Sequence, residues 1–230
     1  MITYNNYTPS DIIKIRFLFG VFLGEILVAL GWVLNPKTSI LSIAAISLVL
    51  IIYGLIGFLG FKRIYPEILS LASVFGLVAS TIFASEILLE YAFLPKDNTN
   101  WGIIEFGSIF VLFFLCGLVT TFQSKNIKHG ILAAVVSALL SSIVWLTFIL
   151  LMFYLFRGTI RQELVFTAEG NFEDFARSGM NDFNTFVMED FLGAGFFHLL
   201  LSPLLATILG TLGGLVGKGL SWVGVKQKFQ

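Results

Sequence analysis

Charge is what this sequence has least of. Asp, Glu, Lys and Arg make up 12% of its 230 residues, about half the roughly 25% of an ordinary soluble domain. Cysteine and histidine are almost missing too, with one and two residues. The lone Cys116 lies in an apolar run and excludes an intrachain disulfide framework. No dense metal-ligand motif exists, and H-E-x-x-H, G-x-S-x-G, the P-loop and G-x-G-x-x-G are all absent. No nucleophile–base pair can be assembled, so the sequence points to no enzyme, no metal and no cofactor. Fourteen basic residues balance fourteen acidic ones, which excludes a strongly basic nucleic-acid binder.

What is present is apolar: 57% hydrophobic residues, 25 of the 230 being phenylalanine, and a mean hydropathy of +0.92. A soluble domain of this size cannot hide that much apolar surface, and disorder is excluded on the same ground. The partner for most of the chain is the lipid bilayer. A helix needs about 20 apolar residues to cross the hydrocarbon core. Six stretches reach or approach that length: 17–34, 40–61, 66–94, 102–121, 130–156 and 191–216. Asn35-Pro36-Lys37, Lys62-Arg63, Pro95-Lys96-Asp97-Asn98 and the polar segment 123–129 separate them. Pro66 suits a first helical turn. The runs do not alternate as barrel strands do. The fold class is therefore all-α, a polytopic bundle of six membrane helices.

The first run follows Lys14 and Arg16 without a small-x-small cleavage site, and reads as a retained helix. Lys and Arg count nine on the side of the termini (Lys14, Arg16, Lys62, Arg63, Lys125, Lys128, Lys218, Lys226, Lys228) and five on the other (Lys37, Lys96, Arg157, Arg161, Arg177). That bias places both termini in the cytoplasm of a plasma-membrane-type bilayer. One membrane domain results, with a five-helix region 1–156, an extracytoplasmic loop 157–190, and a sixth helix with a cytoplasmic tail, 191–230. His129 and His198 then lie on opposite sides, too far apart to share a haem.

The outer loop holds seven acids (Glu163, Glu169, Glu173, Asp174, Asp182, Glu189, Asp190) against three arginines. Phe172 and Phe175 recur eleven residues later as Phe183 and Phe186. That spacing predicts an amphipathic helix with a phenylalanine face, with Gly179 as its breaking point. Asn171 and Asp174 resemble an N-terminal capping pair. The helix either packs on the bundle mouth or lies in the headgroup layer. An internal echo, Phe22-Leu-Gly-Glu25-Ile26-Leu27 against Phe83-Ala-Ser-Glu86-Ile87-Leu88, suggests a duplicated helical hairpin.

Because lipid removes the hydrophobic drive between helices, small residues carry the packing. Gly20 and Gly24 mark the first helix, and Ala72, Gly76, Ser80 and Ala84 the third. Ala134, Ser137, Ala138 and Ser141 mark the fifth, and Gly210, Gly213, Gly214 and Gly217 the sixth. These stripes predict a tight bundle and leave open self-association or other membrane subunits as partners. Pro203 frees the carbonyl four residues back and kinks the last helix.

A carboxylate inside a membrane helix costs about 2.5–3.5 kcal/mol on insertion scales, so each needs a partner or a purpose. Glu25 sits mid-helix, Glu86 and Glu90 share one face of the third helix, and Glu105 lies one turn inside the fourth. With His198 they form the candidate ion or proton pathway. Two readings of function remain. One is a non-catalytic accessory or interaction component of a membrane assembly. The other is a small proton- or cation-handling transporter or channel using these glutamates.

Overall fold

A computed structural model describes residues 8–93 and 99–227. The helices are α1 (Pro9–Leu34), α2 (Ile40–Leu55), α3 (Pro66–Ala92), α4 (Thr99–Ser124), α5 (Ile127–Leu155), α6 (Ile160–Ala168), α7 (Asn171–Ser178) and α8 (Phe183–Gln227). α2 continues through a π-helical turn, Ile56–Gly60, and a tight 3-10 turn, Phe61–Arg63. Six of these helices are long and apolar enough to cross a membrane. The chain is an all-helical bundle suited to lipid, as its composition requires. The expected punctuation at Pro95-Lys96-Asp97-Asn98, the end of the third span at Leu94, and Lys228 lie outside the described residues.

Local chemistry sets the helix ends. Thr8 and Asp11 form a reciprocal capping box ahead of Pro9. Ser39 accepts from the Leu41 N–H, and Asn126 from the Lys128 N–H. Pro66 occupies the first turn of α3. The apolar side chains run all round the long helices. In α1, Phe17, Val21 and Val28 are buried while Phe19, Phe22 and Val33 face outward. In water that outer face would drive aggregation; in a bilayer it is the solvated surface.

α5 is the axis of the bundle. Its most apolar window is 56% buried, against 22–39% for the other five spans, and it packs on α1, α3, α4 and α8. Its small residues allow this: Ala133, Ala134, Ser137, Ala138, Ser141 and Ser142 are all buried. Across from them, Ala72, Gly76 and Ser80 are buried on α3, and a Cβ on Gly76 would come within 3.1 Å of the Ser137 carbonyl. Ala84 is only half-buried, so this stripe ends before it.

The α8 glycines fit the backbones of α4 and α5. A Cβ on Gly210 would meet Ala134 Cβ at 2.6 Å, and one on Gly213 would meet the Leu118 nitrogen at 2.9 Å. Gly217 approaches Leu118 in the same way, and Gly214 approaches Thr121 and Ile127. Gly20 faces Ile143 and Gly24 faces Leu50. These stripes are therefore filled by the protein's own helices. Gly117 and Gly130, outside the expected set, share the same seam.

Pro203 lies inside α8 as expected. The carbonyl it frees, that of Leu199, accepts a 2.5 Å hydrogen bond from the buried Tyr53 hydroxyl of α2. A neighbouring helix thus satisfies the freed carbonyl, as lipid demands.

Two expectations need correction. The last membrane helix begins at Phe183, eight residues before 191, and runs on to Gln227. The acids in its first two turns hid it from a hydropathy reading, although Val187, Met188, Phe191 and Leu192 are buried in the core. The loop also holds two short helices; the phenylalanine-bearing helix does break at Gly179, its second half belonging to α8. Gly170 and Gly179 both adopt positive φ, 76° and 73°, which bends the chain before and after α7. Gly170, with no side chain to offer, is the N-cap of α7, so the Asn171–Asp174 capping pair does not form.

Candidate functional site

Contacts at the ends of the helices sort the bundle into a basic end and an acidic end. At the basic end Lys14 and Lys62 lie over the Phe58 ring, 4.3 and 5.3 Å from its centroid. Tyr65 meets His129 edge-on at 5.4 Å, and Lys218 Nζ donates to the Lys125 carbonyl at 2.6 Å. At the acidic end the α1–α2 turn meets the segment after α5 and the start of α8. Arg157 donates to Asn35 Oδ1 at 2.9 Å, and the Ser39 N–H donates to Glu189 at 2.8 Å.

α6 builds a roof over the acidic end. Thr159 caps it by accepting from the Gln162 N–H. The buried Gln162 side chain donates to the Phe153 carbonyl at 2.9 Å and accepts from the Gly158 N–H at 3.0 Å, joining α6 to the last turn of α5. Val165 and Phe166 drive into the core. α7 then lays Phe172 and Phe175 on Phe183 of α8, at 4.5 and 5.4 Å, and Phe166 meets the same ring at 5.4 Å. The four phenylalanines read as one helix face thus do share a cluster, formed across the break at Gly179. Asp182 accepts from Thr185 at the start of α8 and is held below the usual carboxylate range by those bonds.

This roof brings Glu169, at the end of α6, down onto α3. The Glu90 and Glu169 carboxyls come near each other, with Asp190 and Glu86 close by. One turn deeper, Glu86 of α3 comes near Glu105 of α4. Carboxylates brought this close repel each other when both are ionised. Glu169 keeps part of its surface open at the mouth, yet the packed chain around it desolvates its carboxyl. That burial, with Glu90 and Asp190 adding repulsion, pushes it up to about 8.

Two buried polar atoms in this cluster lack a partner among the described residues. They are Oε1 of Glu105 and the hydroxyl of Tyr91, a residue 2% exposed beside Glu90, Glu169 and Gln162. Beside Glu105, the seam between α3 and α4 opens outward as a shallow cleft of about 530 Å³ lined by Ile82, Ile103, Gly107 and Ser108. Among the described residues no Lys or Arg forms a salt bridge with Glu86, Glu90, Glu105 or Glu169. Two of the loop arginines are used elsewhere, Arg157 on the α1 C-terminus and Arg177 on Asp174.

The expected pathway residues do not all meet. Glu86, Glu90 and Glu105 converge. Glu25 stands apart in the middle of α1, where it accepts from the Ser47 hydroxyl of α2 at 2.9 Å. His198 is packed in an aromatic slot, stacked on Trp145 at 4.5 Å and edge-on to Phe83 at 4.8 Å, with Ser202 Oγ 3.4 Å away. Phe83 separates it from Glu86 by one turn of α3, so a joint Glu–His ligand set is not brought together. Among the described residues no three His, Cys, Asp or Glu side chains are grouped as a metal would require.

Sequence reading missed Glu169 and Tyr91. The acids of the loop looked like a solvated face, and a tyrosine in an apolar run looked like core. The usable signal was the pair of turn glycines, Gly170 and Gly179, which divides the loop into pieces short enough to fold back.

Comparison of the chain with protein-family models, with curated proteins and with solved structures finds no match.

Proposed function

We propose that this membrane protein handles protons, as a small transporter or channel whose entrance is the acidic mouth. The observation that carries this reading is the convergence of three glutamates from α3 and α4 with a fourth from the loop, none of them salt-bridged to a Lys or Arg among the described residues. Glu169 and Glu90 form the outer pair, and Glu86 and Glu105 the inner one, so a proton can pass from rim to interior by successive exchange. No covalent chemistry is assigned to the protein. The basic end lies in the cytoplasm in this reading, and the mouth faces outward.

Buried hydroxyls continue along the axis from the mouth toward the basic end. Thr147, Ser142 and Ser137 follow each other down α5, and Thr121 of α4 sits beside Gly130. Thr147, Ser137 and Thr121 lack a partner among the described residues. Steps of five residues on a helix span roughly 7 Å, so transfer along this line requires intervening water.

An accessory role in a membrane assembly has one specific observation behind it. Gly102 and Gly107 have open space where a Cβ would stand, so the outer half of α4 could receive another helix.

Proton flux into proteoliposomes under a pH gradient separates the two readings. Wild type is expected to conduct, Glu105→Gln to lose most of the flux, and Glu25→Gln to keep it. Equal flux from wild type and empty liposomes would remove the proton reading.

A further inference from the structure

A second feature of the bundle lies at the opposite end and takes no part in the acidic mouth. Between α2, α5 and α8 runs an apolar groove of about 520 Å³, within the roughly 300–1,000 Å³ range of small-molecule sites. Two departures from regular helix shape it. The π turn at Ile56–Gly60 widens the end of α2, and Pro203 stands opposite in α8. The groove is walled by side chains such as Ile56, Leu132, Leu139 and Leu200. Arg63 is the one charged residue that lines it.

The position of Arg63 identifies what fits. It is exposed at the end of α2, makes no salt bridge among the described residues, and is followed two residues on by the exposed Tyr65. Tyrosine at that place marks the level of the lipid headgroups. The groove therefore begins with a cation at headgroup height and descends as an apolar channel to Leu199 and Pro203. Lys14, Lys62, Lys125 and Lys218 stand at the same end and add positive potential, while Lys14 and Lys62 are held over Phe58 and Lys218 on a carbonyl. Arg63 lines the end of the groove and forms no salt bridge among the described residues, and a guanidinium matches phosphate oxygens in a two-pronged hydrogen bond.

We propose that this groove is a binding site for one anionic phospholipid, its acyl chain between α2, α5 and α8 and its phosphate on Arg63. Basic pockets between membrane helices bind anionic headgroups by the same chemistry.

The test reconstitutes the full chain in vesicles of equal phosphatidylglycerol and phosphatidylcholine, extracts it in mild detergent, and identifies retained lipid by native mass spectrometry. Wild type is expected to keep phosphatidylglycerol in preference, at one per chain. Arg63→Gln is expected to lower that occupancy about fivefold, the change in affinity that one basic contact near the membrane surface contributes. Leu200→Trp, which fills the groove, is expected to remove the bound lipid, and Lys218→Gln to leave it unchanged. Equal retention of the two lipids by wild type overturns the proposal, as does full retention by Arg63→Gln. A co-purifying polypeptide that Leu200→Trp displaces also overturns it, by assigning the groove to a protein helix.

Discussion

The two ends of this bundle carry opposite charge and manage it in opposite ways. At the basic end three lysines rest on an aromatic ring or a carbonyl. Lys14 and Lys62 rest their ammonium groups over Phe58, and Lys218 reaches the Lys125 carbonyl at the end of α4. Those placements are ordinary uses of long side chains at a membrane surface and a helix C-terminus. At the acidic end the carboxyls crowd together beneath a helical roof. The basic end is therefore built as an anchor. The acidic end gathers carboxyls where lipid makes them costly, and that difference supports the proposed role.

The largest effect comes from breaking what both ends share. Gly213→Leu places a side chain against the backbone of α4 at Leu118. It should destabilise the bundle at the upper limit of the about 1–3 kcal/mol typical of overpacking. Loss of the monodisperse peak in detergent chromatography, with both lipid retention and proton flux gone, is the expected outcome.

A smaller change should affect only one end. Phe183 contacts Phe166, Phe172, Phe175 and Phe186, and aromatic pairs contribute about 0.5–1.5 kcal/mol each beyond burial. Phe183→Ala should loosen the roof by about 1–2 kcal/mol on that basis. Faster hydrogen exchange across residues 160–182, with exchange at the basic end unchanged, would register it.

The smallest effect is a pH dependence confined to the roof. Glu169 is raised from 4.5 to about 8, so between those values the folded roof holds a proton that the opened loop releases. Stability therefore falls as pH rises through this window, with loss complete only above about 8. Hydrogen exchange in α6 should accelerate over that range in wild type and stay flatter in Glu169→Gln.

Much of this architecture was legible in the sequence, and the reasons are physical. Lipid forces a spanning segment to be long, helical and apolar, so six runs sufficed to give six spans. Pro203 freed the carbonyl that backbone geometry says it must, though only packing could supply Tyr53 as the donor. The small-residue stripes marked real seams, because close backbone approach leaves no room for a Cβ.

The acidic mouth was half legible. Glu86 and Glu90 share a helix face by their spacing alone, and Glu105 belongs to the same depth by topology. Glu25 looked equivalent through its echo with Glu86, but helix packing gave it Ser47 in place of another acid. Glu169 was invisible, because its position depends on Val165 and Phe166 entering the core and on two glycines turning the chain. The start of α8 was hidden for a related reason, since its first turns mix acids with core residues.

Infrared spectroscopy of the protonated carboxyl stretch, on the full chain in lipid at neutral pH, tests the central claim most directly. The proton-handling mouth predicts a clear protonated-carboxyl band that shrinks in Glu105→Gln and in Glu169→Gln, with the Glu105 component surviving in Glu25→Gln. Absence of that band in wild type at neutral pH, or a band untouched by either mouth substitution, would contradict it.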